Sequence, residues 1–106
     1  MKPESSNWIF ERNLRPFVEM VARLADYSFD ANDWIAVSHG VRDTDQEADR
    51  WFTYSFEGAG QLQLEAAIDP GTSVVHVRVR GGDHLAGELQ AQLDLLIDVC
   101  QTYTVT

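Results

Sequence analysis

Between Trp34 and Arg80 apolar and polar residues alternate with a period of two, whereas the flanking segments repeat near the ~3.6-residue period of a helix. Upstream, Phe17, Met20, Val21 and Leu24 fall on one helical face, and Glu19, Arg23 and Asp26 on the other. Pro16 is tolerated in a first turn, which makes Asn13 the expected cap and Tyr27 the expected end. Ser28 to Asp33 carries turn-forming side chains. Four strands are then expected, over 34–41, 50–57, 61–68 and 73–80. The first sets Ile35, Val37 and Val41 on one face against Trp34, Ala36 and Ser38. The second separates Phe52, Tyr54 and Phe56 from Trp51, Thr53 and Ser55. Leu62, Leu64, Ala66 and Ile68 alternate with Gln61, Gln63 and Glu65 in the third, and Val75, Val77 and Val79 with His76, Arg78 and Arg80 in the fourth.

Turn residues make the register testable. Asp69-Pro70-Gly71-Thr72 has proline and glycine in the two central positions of a turn. With Asp69 facing Thr72, Leu62 meets Val79, Leu64 meets Val77 and Ala66 meets Val75, while Glu65 faces His76 and Gln63 faces Arg78. A three-residue loop, Gly58-Ala59-Gly60, pairs Phe56 with Leu62 and Tyr54 with Leu64. Beyond Gly81-Gly82, Asp83 caps a final helix whose Leu85, Leu89, Leu93, Leu96 and Cys100 form one stripe, broadened by Leu95, Ile97 and Val99. Residues 103–106 are a candidate fifth strand. The expected fold class is α+β: a two-layer sandwich in which a four-stranded antiparallel meander carries an N-terminal and a C-terminal helix on one face, in the order α-β-β-β-β-α.

Composition narrows the setting. The 106 residues read as a single domain, with 1–7 frayed and Trp8, Ile9 and Phe10 tucked against the body. No run reaches the ~18–20 apolar residues of a membrane span, and Met1 to Asn7 lacks the pattern of a secretory signal. With Cys100 as the lone cysteine, no internal disulfide can form, which agrees with a reducing, cytoplasmic location. Eight Lys and Arg against 17 Asp and Glu give a net charge of −9. Such a field opposes direct nucleic-acid and membrane binding and favours a basic protein partner.

Several clusters offer chemistry. Asp43, Asp45, Glu47 and Asp49 crowd the loop before the second expected strand. Only the Asp-x-Asp-x-Glu opening resembles a calcium loop, since the sixth-position glycine and twelfth-position glutamate are missing. A solvated hairpin is the plain reading; a lure for the Lys and Arg of a partner, with Trp51 as aromatic anchor, is the functional one. His39, His76, His84 and Cys100 show no metal-ligand spacing, so neither metal nor cofactor is expected. His84 falls in the first turn of the last helix, and His39 on the core face of the sheet. Cys100 lies on an apolar stripe, which argues against a thiol nucleophile. His76 opposite Glu65, beside Arg78, is the best case for general-base chemistry, set against an ordinary cross-strand ion pair. Trp34 and Trp51 are placed on the open sheet face, which suggests an interface.

Three functions of different class follow. The leading one is a small acidic, non-enzymatic protein-binding module, an inhibitor or immunity-type protein that masks a basic partner such as a toxin. Its contact residues would be Asp43, Asp45, Glu47, Asp49 and Trp51, with Glu65, His76 and Arg78 on the adjoining face. In size, charge and helix-plus-sheet organisation the chain is similar to many bacterial toxin-immunity proteins, a likeness of format that no motif of a single such family accompanies. A secretion-type chaperone or homodimeric adaptor is the second. The third is a small-molecule binding domain or enzyme working around His76, Glu65 and Arg78.

Overall fold

The structure is a computed structural model, and it describes residues 4–56, 62–80 and 87–102. Strand β1 (Glu4–Phe10) leads through a short 3-10 turn (Glu11–Asn13) into helix α1 (Leu14–Leu24), followed by helix α2 (Ala31–Arg42). Strands β2 (Phe52–Phe56), β3 (Leu62–Ile68) and β4 (Val74–Arg80) come next, then helix α3 (Gly87–Thr102). The strands form one antiparallel sheet in the order β1-β4-β3-β2. Phe17, Val18 and Val21 of α1, Val37 and Val41 of α2, and Leu93, Ile97 and Cys100 of α3 pack on the face that carries Phe56, Leu62, Leu64, Val75, Val77 and Val79. The two-layer α+β class is therefore as expected, but the chain reaches it by a different order of elements.

Two expected elements change. The strand placed over 34–41 is α2, because its apolar residues satisfy both periods. Trp34, Val37 and Val41 stand at helical spacing and face the core, while Ile35, assigned to the buried face of a strand, is 54% exposed. Asp30 and Asp33 decide between the two with a reciprocal capping box: the Asp33 amide donates to Asp30 Oδ1 (2.9 Å) and the Asp30 amide to Asp33 Oδ2 (3.0 Å). Trp34 therefore sits at the rim of the core rather than on the open sheet face, and His39 points to solvent rather than into the core. The missing fourth strand comes from the N-terminus. Residues expected to fray are in strand from Glu4 onward, paired with β4, and Ile9 is fully buried.

Asn13 precedes α1 without capping it through its side chain. It is fully buried instead, and its Nδ2 donates to the Cys100 carbonyl at the end of α3 (2.8 Å), linking two helix termini. At the other end of α1, Tyr27 N–H donates to the Ala22 carbonyl (2.9 Å) and Asp26 N–H to the Arg23 carbonyl (3.0 Å), with Asp26 at φ 56°. This is a Schellman stop with aspartate in the left-handed position usually held by glycine.

The β2–β3 register is the expected one, with Phe56 opposite Leu62 and Tyr54 opposite Leu64. The β3–β4 register keeps the expected faces but slips by one pleat: Leu64 meets Val79, Ala66 meets Val77, and Glu65 meets Arg78. The Asp69–Thr72 turn does form (Thr72 N–H to the Asp69 carbonyl, 3.2 Å), with Gly71 at φ 79° as a type II turn requires. That turn splays strands rather than matching their twist, so the ladder resumes only where the Asp69 amide meets the Val74 carbonyl (3.1 Å). The loop 58–60, the Asp83 cap, Leu85, His84 and the tail 103–106 lie outside the described residues.

Candidate functional site

The acidic segment between α2 and β2 is a folded hairpin. Asp45 and Arg50 exchange backbone hydrogen bonds (3.0 and 2.9 Å), and Asp45 Oδ1 accepts from the amides of Glu47 (3.0 Å) and Ala48 (3.2 Å). Aspartate suits this position because its short carboxylate can bond its own backbone two and three residues on. Asp49 closes the turn at φ 55°, its amide donating to the Gln46 carbonyl (3.2 Å). The hairpin is also fastened to the sheet: the Gln46 amide donates to the Ile68 carbonyl (2.8 Å), and the Ile68 amide to Thr44 Oγ1 (2.9 Å). Two hydrogen bonds thus hold it at the end of β3.

Trp51 joins this hairpin to the open face. Its indole N–H donates to Asp49 Oδ1 (2.8 Å), and its ring covers the Arg78 guanidinium at 3.8 Å, a cation–π contact. Arg78 Nε lies 3.9 Å from Glu65 Oε1, and Arg80 Nε lies 3.2 Å from the same oxygen. Glu65 Oε1 and Arg78 Nε are both shielded from water without a hydrogen-bond partner, so the attraction there is electrostatic rather than directional. Asp49, Trp51, Arg78 and Glu65 therefore form a continuous chain of contacts from hairpin to sheet.

Of the residues singled out from the sequence, these four come together, with Asp45 inside the hairpin turn. Asp43 follows the last turn of α2, and it and Glu47 point to solvent. His76 stands apart. The slipped register puts Arg78, not His76, across from Glu65, so the expected imidazole–carboxylate pair between strands is not formed. His76 instead faces Asp69, with Nε2 3.4 Å from Oδ2. Sequence reading missed Asp69 because it was assigned to the turn alone; the signal was the Pro-Gly type itself, which disfavours a two-residue hairpin. Trp8 and Phe10, expected to tuck against the body, extend the open face at its β1 end, where they meet edge to face at 5.4 Å and Arg12 lies 4.5 Å from the Phe10 ring centroid.

The remaining reactive groups are held in structural roles. Cys100 is fully buried, and desolvation pushes its thiol up to about 11. The Asp33 carboxyl is held below its usual range, mainly because it accepts the Asp30 amide, and the Tyr54 hydroxyl is pushed up, mainly by burial. Tyr54 donates that hydroxyl to Asp33 Oδ1 (3.1 Å), tying β2 to the start of α2. Among the described residues, no three His, Cys, Asp or Glu side chains gather as a metal site, and no helix is long and apolar enough to cross a membrane.

No family model, curated protein or solved structure matches the chain. The functional reading rests on fold and side-chain chemistry.

Proposed function

We propose that the chain is a non-enzymatic protein-binding module whose anionic hairpin, residues 43–49, docks on a cationic surface of a protein partner in the manner of an inhibitor or immunity protein. The observation that carries this reading is the fastening of the hairpin to β3 through Gln46, Ile68 and Thr44. A hairpin held in this way presents Asp43, Glu47 and Asp49 from a fixed base, so less conformational freedom is lost when a partner engages it. The net charge of −9 adds long-range attraction for a basic surface. Trp51 offers part of an aromatic ring beside those carboxylates, the residue type that anchors many interfaces. Across from Glu65 stands Arg78 rather than His76, and that juxtaposition continues the charged surface from the hairpin onto the sheet.

The test removes charge and keeps shape. In Asp43→Asn/Glu47→Gln/Asp49→Asn the amides retain the acceptors that the hairpin uses. Retention of a basic protein from native lysate, strong at low salt and weak at high salt, should fall at least about tenfold in the triple variant. Equal retention by wild type and variant, or no retained basic protein at either salt, would overturn the proposal.

A further inference from the structure

The two edges of the sheet are finished differently. At β1, the Gln101 side chain of α3 donates to the Trp8 carbonyl (2.8 Å), so a helix reaches over and occupies backbone of that edge. At β2 the outward backbone makes no hydrogen bond to the backbone of another element among the described residues. Three devices that keep an edge strand from pairing are also missing from Phe52-Thr53-Tyr54-Ser55-Phe56: it has no charge, no proline and no bulge against β3. Thr53 and Ser55 are exposed.

The segment is moreover a palindrome in side-chain type. Turned about Tyr54 and laid antiparallel against itself, it sets Phe52 against Phe56, Tyr54 against Tyr54 and Thr53 against Ser55. Phe56 is fully buried in its own core, so on the helix side the half-buried Tyr54 rings are the aromatic pair at the seam, and the hydroxyl pairs fall on the open side; both are favourable cross-strand combinations. Nearby on α2, Asp33 bonds Tyr54 and Gly40 packs so close to Phe52 that a Cβ there would overlap its ring. Ala36, on the same helical stripe, is exposed and small. For a chain of net charge −9, an uncharged strand is also where two copies meet with least repulsion.

We infer that β2 is a self-pairing edge: two copies join antiparallel through Phe52–Phe56 about Tyr54, giving one eight-stranded sheet with all helices on the same side. The inference is independent of what the acidic hairpin binds.

Sedimentation velocity of the whole chain over a range of concentrations tests it. Wild type should reach twice the 12.0 kDa chain mass as concentration rises. Thr53→Lys/Ser55→Lys puts lysine against lysine at both symmetric positions and should weaken association at least about tenfold. Thr53→Lys/Ser55→Glu puts lysine against glutamate in the same register and should restore the dimer. Far-UV circular dichroism and the thermal midpoint establish that both variants fold. A wild type that stays monomeric throughout, or two variants that associate alike, would overturn the inference.

Discussion

The two faces of the sheet are built from the same four strands and obey different rules. On the helix-covered face Leu62, Leu64, Val75, Val77 and Val79 are fully buried, whereas on the other face the Glu65, Arg78 and Arg80 side chains are 16%, 24% and 44% exposed. The covered face is specified by volume, since each side chain must fill its space against three helices. The open face is specified by pairing: Trp51 covers Arg78, Glu65 draws in two guanidiniums, and Asp69 meets His76. Apolar burial is concentrated on the first face.

That contrast can be broken by substitution, beginning with the largest effect. Leu64→Ala should destabilise the fold by about 2–5 kcal/mol in urea unfolding, through lost burial and a cavity between β3 and the helices. Asn13→Ala should cost about 1–3 kcal/mol in the same assay, because the buried Cys100 carbonyl loses its donor. Alkaline titration sharpens the comparison. The folded Cys100 thiol ionises near 11 against an ordinary value of 9.0, so its contribution is intact below pH 9 and is lost as pH rises through 11. A Cys100→Ser variant should lack that component of the alkaline unfolding curve. On the open face, Glu65→Gln should change stability less than Leu64→Ala does, since the amide keeps the side-chain volume and the Arg78 and Arg80 side chains stay partly exposed. A loss there as large as that of Leu64→Ala would erase the distinction between the faces.

How much of this was legible follows from which signals were local. The alternation of Phe52, Tyr54 and Phe56 against Leu62 and Leu64 fixed the β2–β3 register correctly, because both strands carry unbroken period-two patterns and only that pairing joins apolar to apolar. For β3 and β4 the faces were legible but the pairing was not. A slip of one pleat preserves every apolar match, so hydrophobic pattern alone cannot detect it, and the twist of the Pro-Gly turn had to be weighed. Residues 34–41 were misread because Val37 and Val41 fit both a strand and a helix; the Asp30 and Asp33 caps, present in the sequence, carried the deciding information. Strand β1 had no comparable signal, since its first residues are polar and its pairing depends on the free edge of β4. The acidic hairpin and Trp51 were visible as residue types, but the contact of Trp51 with Arg78 depends on three-dimensional placement.

The central claim is that the acidic hairpin is a fixed part of the sheet rather than a solvated loop. Amide hydrogen exchange at Gln46 and Ile68, followed residue by residue by NMR at neutral pH, addresses it most directly, because these donors fasten the hairpin to β3. Both amides should be protected to a degree comparable with Leu64 and Ala66 in the interior of β3. Exchange at the rate of an unstructured peptide at Gln46 and Ile68, with Leu64 and Ala66 still protected, would contradict the account.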